Sequence, residues 1–161
     1  SKIKSFISKV KPLDGRGKVH KIKRFKTKFN LIDESYNANP TSVKNAIINF
    51  SNRKIKYSKK YLLLGDMLEL GSQSNQYHKN LSKVLNNSDF NKIFVYGEKI
   101  LHTYKKIKKK KKGNILKHLN DFDDIFSKFI KKNDYLMIKG SNATGLNNLT
   151  KNVIKGIKNV I

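Results

Sequence analysis

The feature that most constrains this chain is a regular alternation of short apolar segments with segments whose apolar residues recur at helical spacing. Runs of branched and aromatic residues predict strands, whereas apolar residues three and four positions apart predict amphipathic helices. Strands are expected at residues 19–25, 29–33, 61–64, 92–96, 115–119 and 135–138. Helices are expected to begin at Pro40 with Asn39 as its cap, at residue 74, near residue 100, at a capping Asp121 and near Leu146. Such alternation is typical of an α/β fold, with a mainly parallel sheet, helices on both faces and an antiparallel edge hairpin from the first two strands.

The length and the turn signals predict the domain organisation. A chain of 161 residues with 37% hydrophobic content fits one domain with a single modest core. Proline and glycine are concentrated in residues 11–17, which indicates a boundary there. We expect residues 1–14 to form a linker or the end of a preceding domain, and residues 15–161 to form the domain itself. No apolar run approaches the roughly 20 residues of a membrane span, and the N-terminus lacks the features of a secretory signal.

The formal net charge of +25 suggests a polyanionic partner, because clustered cations release counterions from phosphates when they bind. Only three of the 36 basic residues are arginine, however, and arginine is the residue favoured for base and phosphate recognition. The lysines are spread along the whole chain, and the run at residues 105–112 is most simply a solvated helix end and loop. We therefore expect no nucleic-acid partner. A basic module that binds nucleic acid or another polyanion stays as an alternative function.

Polar residues concentrate in three loops that follow predicted strands. These loops span residues 33–40, 65–71 and 139–145. In open α/β sheets, ligands bind beyond the carboxyl ends of the strands, so these loops are the expected site. Four of the 11 acidic residues, Asp33, Glu34, Asp66 and Glu69, lie in the first two loops of a very basic chain. The simpler alternative is that Asp66 and Glu69 only cap the following helix.

Several common catalytic and metal-binding motifs are absent from the sequence. Residues 140–145 have the glycine spacing of a phosphate-binding P-loop, but Leu146 and Asn147 replace the required lysine and hydroxyl residue. There is no G-x-G-x-x-G dinucleotide motif and no G-x-S-x-G nucleophile motif. The four histidines lack metal-ligand spacing, and a chain without cysteine has neither disulfides nor thiolate metal sites. We expect no catalytic residue and no metal site within this chain, and the lack of cysteine is compatible with a cytoplasmic location.

Three strings in these loops resemble a known family. They are residues 31–40 (LIDESYNANP), residues 64–71 (LGDMLELG) followed by Ser74 and His78, and residues 138–141 (IKGS). In order and spacing they resemble the C-terminal domain of the Mur ligases, and they are closest to the members that add D-alanyl-D-alanine to a UDP-N-acetylmuramoyl-tripeptide. The resemblance runs from about Asp14 to the C-terminus. It implies a Rossmann-like, mainly parallel sheet with an antiparallel edge strand.

The resemblance also implies one domain of an ATP-dependent, amide-forming ligase of peptidoglycan precursor synthesis. ATP would phosphorylate the tripeptide carboxylate, and the amine of D-alanyl-D-alanine would then attack the acyl phosphate. The P-loop, the Mg²⁺ ligands and the UDP-sugar pocket would lie in two other domains, so the isolated chain is expected to be inactive. A non-catalytic remnant of such a ligase is the second alternative.

Roles for individual residues follow from the same resemblance. Arg16 would reach the ATP phosphates, and Asp33 or Glu34 would accept hydrogen bonds from the ribose hydroxyls. The other implied ATP contacts are Tyr36, Asn37, Asn39 and Pro40. The residues implied to hold the dipeptide or the closed state are Asp66, Glu69, Lys139 and Ser141. Asn142 stands where the family often has arginine, so no anion contact is assigned there.

From the residues alone, simpler interpretations of this set stay open. Arg16 would serve only as a linker cation, Tyr36 as a core residue, and Asn37 with Asn39 as turn and cap residues. The two interpretations differ in one geometric requirement, because a shared site needs Glu34, Asp66 and Lys139 on the same rim of the sheet.

Overall fold

A computed structural model describes residues 15–157 of the chain, so the prediction for residues 1–14 lies outside the described residues. The chain alternates between strands and helices throughout this range. The strands are β1 (Lys18–Arg24), β2 (Thr27–Glu34), β3 (Lys60–Gly65), β4 (Lys92–Tyr96), β5 (Lys112–Leu116) and β6 (Tyr135–Lys139). The helices are α1 (Pro40–Ser51), α2 (Ser74–Asn87), α3 (Leu101–Lys105), α4 (Asp121–Phe126) and α5 (Leu146–Lys155). Short 3₁₀ turns at Gly71–Gln73, Lys109–Lys111 and Asn142–Thr144 lead into α2, β5 and α5.

The six strands form one sheet in the order β1-β2-β6-β3-β4-β5. Every neighbouring pair is parallel except β1 and β2, which form an antiparallel hairpin at the edge. The predicted α/β architecture is therefore confirmed. Strand β6, although last in the chain, lies between β2 and β3 in the middle of the sheet.

Two apolar clusters pack on the two faces of this sheet, because side chains alternate between faces along each strand. In β3, Leu62 and Leu64 belong to the cluster beneath α1, α2 and α3, while Tyr61 and Leu63 belong to the cluster beneath α4 and α5. All four side chains are almost fully buried. A leucine buried to this extent contributes about 2 kcal/mol to folding. No helix among residues 15–157 is long and apolar enough to cross a membrane.

The first helix begins as the sequence predicts. The Asn39 side chain accepts a hydrogen bond from the Ser42 amide, and the Ser42 hydroxyl accepts one from the Asn39 amide. Pro40 occupies the first helical turn, where its missing N–H leaves no hydrogen bond unmade. The predicted cap at Asp121 is wrong in detail. Its carboxylate accepts from the preceding amides of Lys117 and His118, so it closes the turn before α4.

The lysine run at residues 105–112 begins at the end of α3 and continues as a largely exposed loop, as predicted, but Lys111 is an exception. The Lys111 ammonium donates to the carbonyls of Leu85, Asn86 and Ser88 at the end of α2, where a cation complements the helix dipole. Burial lowers the pKa of Lys111, with neighbouring lysines adding to the shift. Strand β5 spans Lys112–Leu116, so it begins and ends three residues earlier than the predicted residues 115–119.

Candidate functional site

The three polar loops lie together at one edge of the sheet. Residue pairing places Glu34 at the end of β2 beside Lys139 at the end of β6, and Leu64 at the end of β3 on the other side of Lys139. Because these strands are parallel, the loops after them meet at the same edge, which we call the rim. The predicted placement of Glu34, Asp66 and Lys139 on one rim is confirmed.

Ser141 joins the three loops of the rim. Its hydroxyl accepts a hydrogen bond from the Leu68 amide at 2.9 Å and donates one to the Ala38 carbonyl at 3.3 Å. Its own amide donates to the Asp66 carbonyl at 3.0 Å. One residue of the third loop thus holds the backbones of the other two. The side chain is buried, so these contacts lie beneath the surface of the rim.

Lys139 makes a second connection between β6 and the first loop. Its ammonium donates to the Asn37 carbonyl at 2.9 Å and lies 3.5 Å from a carboxylate oxygen of Glu34. The side chain is only 2% exposed. Burial lowers the pKa of Lys139, and the Glu34 carboxylate opposes that shift. Such a buried charge is stable only with its partners in place, so Lys139 and the Asn37 loop constrain each other.

Asp33 anchors the start of the described chain to the rim. One carboxylate oxygen accepts from the Gly15 amide at 3.0 Å, and the other accepts from the amide and hydroxyl of Ser35. Gly15 has a positive φ of 76°, and a Cβ there would lie 2.5 Å from the Cβ of Tyr36. Only glycine fits this close crossing of two chain segments. Asp33 itself is buried, with both oxygens occupied by protein donors.

The residues that face solvent at the rim are a different subset. The guanidinium of Arg16 stacks over the Tyr36 ring at 5.2 Å from its centroid. Tyr36 is 49% exposed, which contradicts the interpretation of this residue as core. Asn37 and Asn39 are exposed as well, and Pro40 and Glu34 are half-buried. The solvent side of the rim therefore presents a cation, an aromatic ring, two amides and a carboxylate, and the hydrogen bonds that join the loops lie buried beneath them.

Asp66 and Glu69 differ sharply in environment. The Asp66 carboxylate is buried and accepts from the amides of Glu98 and Ile100 at 3.1 and 2.7 Å, in the loop between β4 and α3. The simpler alternative, that Asp66 only caps the following helix, is therefore wrong, since its carboxylate fixes a loop more distant in the chain. Glu69 is exposed, with a positive φ of 62° at the tip of its loop.

His78 supports the second loop from below, a role that helical periodicity alone did not indicate. It lies in α2 with no exposed surface, and its Nε2 accepts from the Met67 amide at 3.1 Å. Its Nδ1 lies 2.8 Å from the Ser74 carbonyl and is the nitrogen that carries the proton. Burial lowers the pKa of His78, although the Ser74 carbonyl and Asp66 oppose the shift. The ring is therefore neutral and holds the loop that carries Asp66 and Glu69.

The rim does not fit a divalent metal ion. No group of three histidine or carboxylate residues comes together anywhere in the described part of the chain. At the rim, the oxygens of Asp33 and Asp66 already accept hydrogen bonds from protein donors, and Glu34 is paired with Lys139. No chemical step is assigned here to a metal.

A match to a protein-family model identifies the family of this chain. The model described as "Mur ligase, glutamate ligase domain" matches residues 16–142. The chain belongs to the Mur ligase family. Among curated relatives, the UDP-N-acetylmuramoyl-tripeptide–D-alanyl-D-alanine ligase of Bacillus subtilis is 30% identical over 129 residues, which are 78% of this chain and 28% of that protein. The ligase of the same name from Buchnera aphidicola of Acyrthosiphon pisum is 36% identical over 135 residues, 80% of this chain and 27% of that protein. This Mur ligase chain therefore spans less than a third of the length of these relatives.

Solved structures of Mur ligases share the fold. The MurF ligase of Thermotoga maritima in complex with ADP superposes with a TM-score of 0.73 at 23% identity, over 91% of this chain and 32% of that one. A domain from a Haemophilus ducreyi protein, described as a putative UDP-N-acetylmuramate:L-alanyl-gamma-D-glutamyl-medo-diaminopimelate ligase, superposes with a TM-score of 0.57 at 12% identity, over 88% of this chain and 98% of that one. The Mur ligase fold of residues 15–157 thus occurs both within longer chains and as a separately solved domain.

Proposed function

We propose that this chain is the C-terminal domain of an ATP-dependent ligase that joins D-alanyl-D-alanine to UDP-N-acetylmuramoyl-tripeptide in the cytoplasm, during peptidoglycan precursor synthesis. The names of the curated relatives support the reaction, and the ADP complex of a structural neighbour supports the nucleotide. The proposal rests on the arrangement of residues at the rim. Ser141 and Lys139 tie three loops together beneath a surface that presents Arg16, Tyr36 and Glu34.

The rim residues divide into two sets with different roles. The exposed set contacts the nucleotide: Arg16 attracts the ATP phosphates, Glu34 accepts a hydrogen bond from the ribose, and Tyr36, Asn37, Asn39 and Pro40 border the base and sugar. Of the two adjacent carboxylates, Glu34 is the ribose acceptor, because both oxygens of Asp33 are occupied whereas only one oxygen of Glu34 pairs with Lys139. The buried set, Asp66, Lys139 and Ser141, holds the dipeptide side of the cleft in shape. Glu69, at an exposed loop tip, attracts the ammonium group of the incoming dipeptide.

In this proposal the chain positions the reacting groups, and the acyl phosphate forms in another domain of the full-length ligase. Placing an amine and an acyl phosphate in contact removes much of the entropic barrier to amide formation. The described residues include no P-loop lysine and no metal cluster. The isolated chain is accordingly expected to release no phosphate from ATP, and to bind ATP weakly, since the partner half of the nucleotide site is missing.

A chimeric enzyme tests the proposal. The full chain replaces the matched C-terminal part of the Bacillus subtilis relative, and product is measured by mass spectrometry as the mass added to UDP-N-acetylmuramoyl-tripeptide. We expect ATP-dependent addition with D-alanyl-D-alanine and none with D-glutamate, the alternative that the description of the family model suggests. In the same chimera, Glu34→Gln removes the negative charge that faces both the ribose and Lys139, and it is expected to raise the KM for ATP about tenfold.

Two controls make a negative result informative. The parent enzyme, rebuilt with its own C-terminal part behind the same junction as in the chimera, shows that the junction itself is tolerated. Circular dichroism of the chimera shows that the grafted domain is folded. A folded chimera that forms no product, or that prefers D-glutamate, overturns the proposal.

A further inference from the structure

A second concave surface lies at the edge of the sheet opposite the rim, and we call it the basal groove. It consists of two depressions of about 410 and 400 Å³ that share Asn30 and Asn133. Five lysines line it: Lys21, Lys23 and Lys28 in the first depression, and Lys54 and Lys56 in the second. No acidic residue is among the lining residues of either depression.

The groove follows from the way the edge hairpin is built. Ile22 of β1 pairs with Phe29 of β2, and both point into the cluster beneath α4 and α5. By strand alternation, Lys21, Lys23 and Lys28 therefore lie on the opposite face, where they remain exposed. No residue of helix α1 lines either depression, whereas the loop that follows it contributes Lys54, Ile55, Lys56 and Ser58 to the second.

The charge of the groove is not neutralised within the described residues. The ion pairs found there join Arg24 to Asp123, Lys60 to Asp89 and Lys139 to Glu34, and none uses a groove lysine. Asp134 lies next to Asn133, but it is 3% exposed and its oxygens accept from the amides of Lys59 and Lys131. Five lysines therefore line two depressions that share Asn30 and Asn133, and no carboxylate of the described residues forms an ion pair with them.

Tyr57 adds an aromatic surface beside these lysines. Its side chain is fully exposed, and its φ of 61° is one that residues with a side chain rarely adopt. Tyr57 does not itself line either depression, but it stands in the sequence between Lys56 and Ser58, both of which line the second. A ring this exposed among the described residues is available to stack on a planar partner.

Contrary to the expectation from the composition, we propose that the basal groove binds single-stranded nucleic acid, with the lysines contacting phosphates and Tyr57 stacking on a base. Proteins that bind single strands with little sequence preference combine cations that contact the phosphate backbone with aromatic rings that stack on bases. Lysines alone, without arginine forks, contact phosphate as point charges and read no base sequence. An anionic membrane is the less suitable partner, since surface binding to lipid uses an amphipathic helix with exposed apolar residues, whereas this site is concave and polar. The groove is on the edge opposite the rim, so this activity is separate from the ligase reaction.

Fluorescence anisotropy with the full chain tests the proposal. The probes are labelled 12-nucleotide oligo(U) and oligo(dT), titrated between 50 and 200 mM KCl. The groove variant Lys28→Gln/Lys54→Gln/Lys56→Gln is expected to weaken binding at least about tenfold and to reduce the slope of log K against log salt by about 2, roughly 0.7 for each phosphate contact on a single strand. Tyr57→Ala, which leaves the charge unchanged, is expected to weaken binding about tenfold with the same salt slope. Equal affinity for the two probes would indicate that binding depends on phosphate contacts and base stacking. Tighter binding of oligo(U) would indicate an additional contact to the 2′-hydroxyl.

The matched control removes the same charge elsewhere. Lys83→Gln/Lys128→Gln/Lys151→Gln changes three exposed lysines outside the groove. We expect it to retain affinity to within about twofold, because charges far from the bound strand are screened at these salt concentrations. Equal losses in the two triple variants overturn the proposal, because the net charge alone would then explain binding. An unchanged affinity in Tyr57→Ala, tighter binding to a duplex of the same length, or binding to phosphatidylglycerol vesicles without binding to either oligonucleotide overturns it as well. Thermal unfolding of each variant confirms that the fold is intact.

Discussion

His78 offers the most direct test of how the rim is held, because one wholly buried ring supports the loop that carries Asp66 and Glu69. Replacing it with phenylalanine preserves most of the volume but removes the acceptor for the Met67 amide. An amide left unsatisfied in the interior costs about 1–3 kcal/mol, and the Ser74 carbonyl loses its donor as well. We expect His78→Phe to lose about 2–3 kcal/mol of stability, which for a chain of this size lowers the Tm by about 6–10 °C.

Glutamine at this position separates the loss of a hydrogen bond from a change in shape. In His78→Gln, the terminal oxygen can take the place of Nε2 as acceptor, so the loss is expected to be about 1 kcal/mol. Differential scanning calorimetry of the full chain at pH 7.5 measures both variants. A His78→Phe protein as stable as His78→Gln would refute the assignment of the Met67 contact.

The pH dependence of stability gives an independent test of the same contact. The pKa of His78 is lowered from 6.5 in the folded chain, chiefly by burial, so the unfolded chain binds the proton more readily. Stability is therefore unaffected by this group above pH 6.5 and decreases as the pH falls below it, with a slope of at most about 1.4 kcal/mol per pH unit. Protonation would also place a second donor against the Met67 amide. Asp66, His102 and Lys99 act on the ring electrostatically, and they are present in both proteins.

The comparison is therefore made between the wild type and His78→Gln from pH 7.5 to pH 5. All other titrating groups contribute equally, so the difference between the two curves isolates His78. The wild type is expected to lose stability faster than the variant below pH 6.5. Parallel curves over this range would refute the reasoning.

Three further substitutions test other contacts, each by its change in Tm. Lys111→Met removes the cation at the end of α2 and is expected to cost about 1–2 kcal/mol, whereas Lys110→Met, on an exposed neighbour, changes stability by less than about 0.5 kcal/mol. Gly65→Ala places a Cβ 2.5 Å from the Leu146 side chain and is expected to cost about 1–3 kcal/mol. Lys139→Met breaks a buried ion pair and is expected to cost about 3 kcal/mol, with a larger fall in kcat than in ATP binding for the chimeric ligase. Equal stability of Lys111→Met and Lys110→Met, or a stable Gly65→Ala protein, would contradict the packing described.

The strands and the rim were predictable because local patterns and parallel topology carry that information. The buried run of β3 and the boundaries of β4 are visible in the apolar residues themselves. The position of the polar loops at one edge then follows from the parallel arrangement of the strands that precede them. These features depend on short-range sequence patterns and on one general rule of sheet topology.

The roles of individual polar side chains were less predictable, because they depend on contacts between residues far apart in sequence. Whether Asp33 or Glu34 is buried depends on the amide of Gly15, 18 residues away, which reaches only Asp33. Asp66 similarly finds its partner 34 residues away at Ile100. Nothing in the sequence of the lysine run indicates that Lys111 meets the end of α2. The basal groove combines two lysine-containing segments that become neighbours only in the folded chain.

The central position of β6 has a consequence for the order in which the protein can be assembled. Synthesis delivers β2 and β3 well before the strand that must lie between them. Until residue 139 has emerged, a nascent chain leaves two apolar strand edges unpaired, and such edges invite pairing with other chains. Closure of the sheet is therefore a late and long-range event, and slow folding is the expected consequence of this strand order.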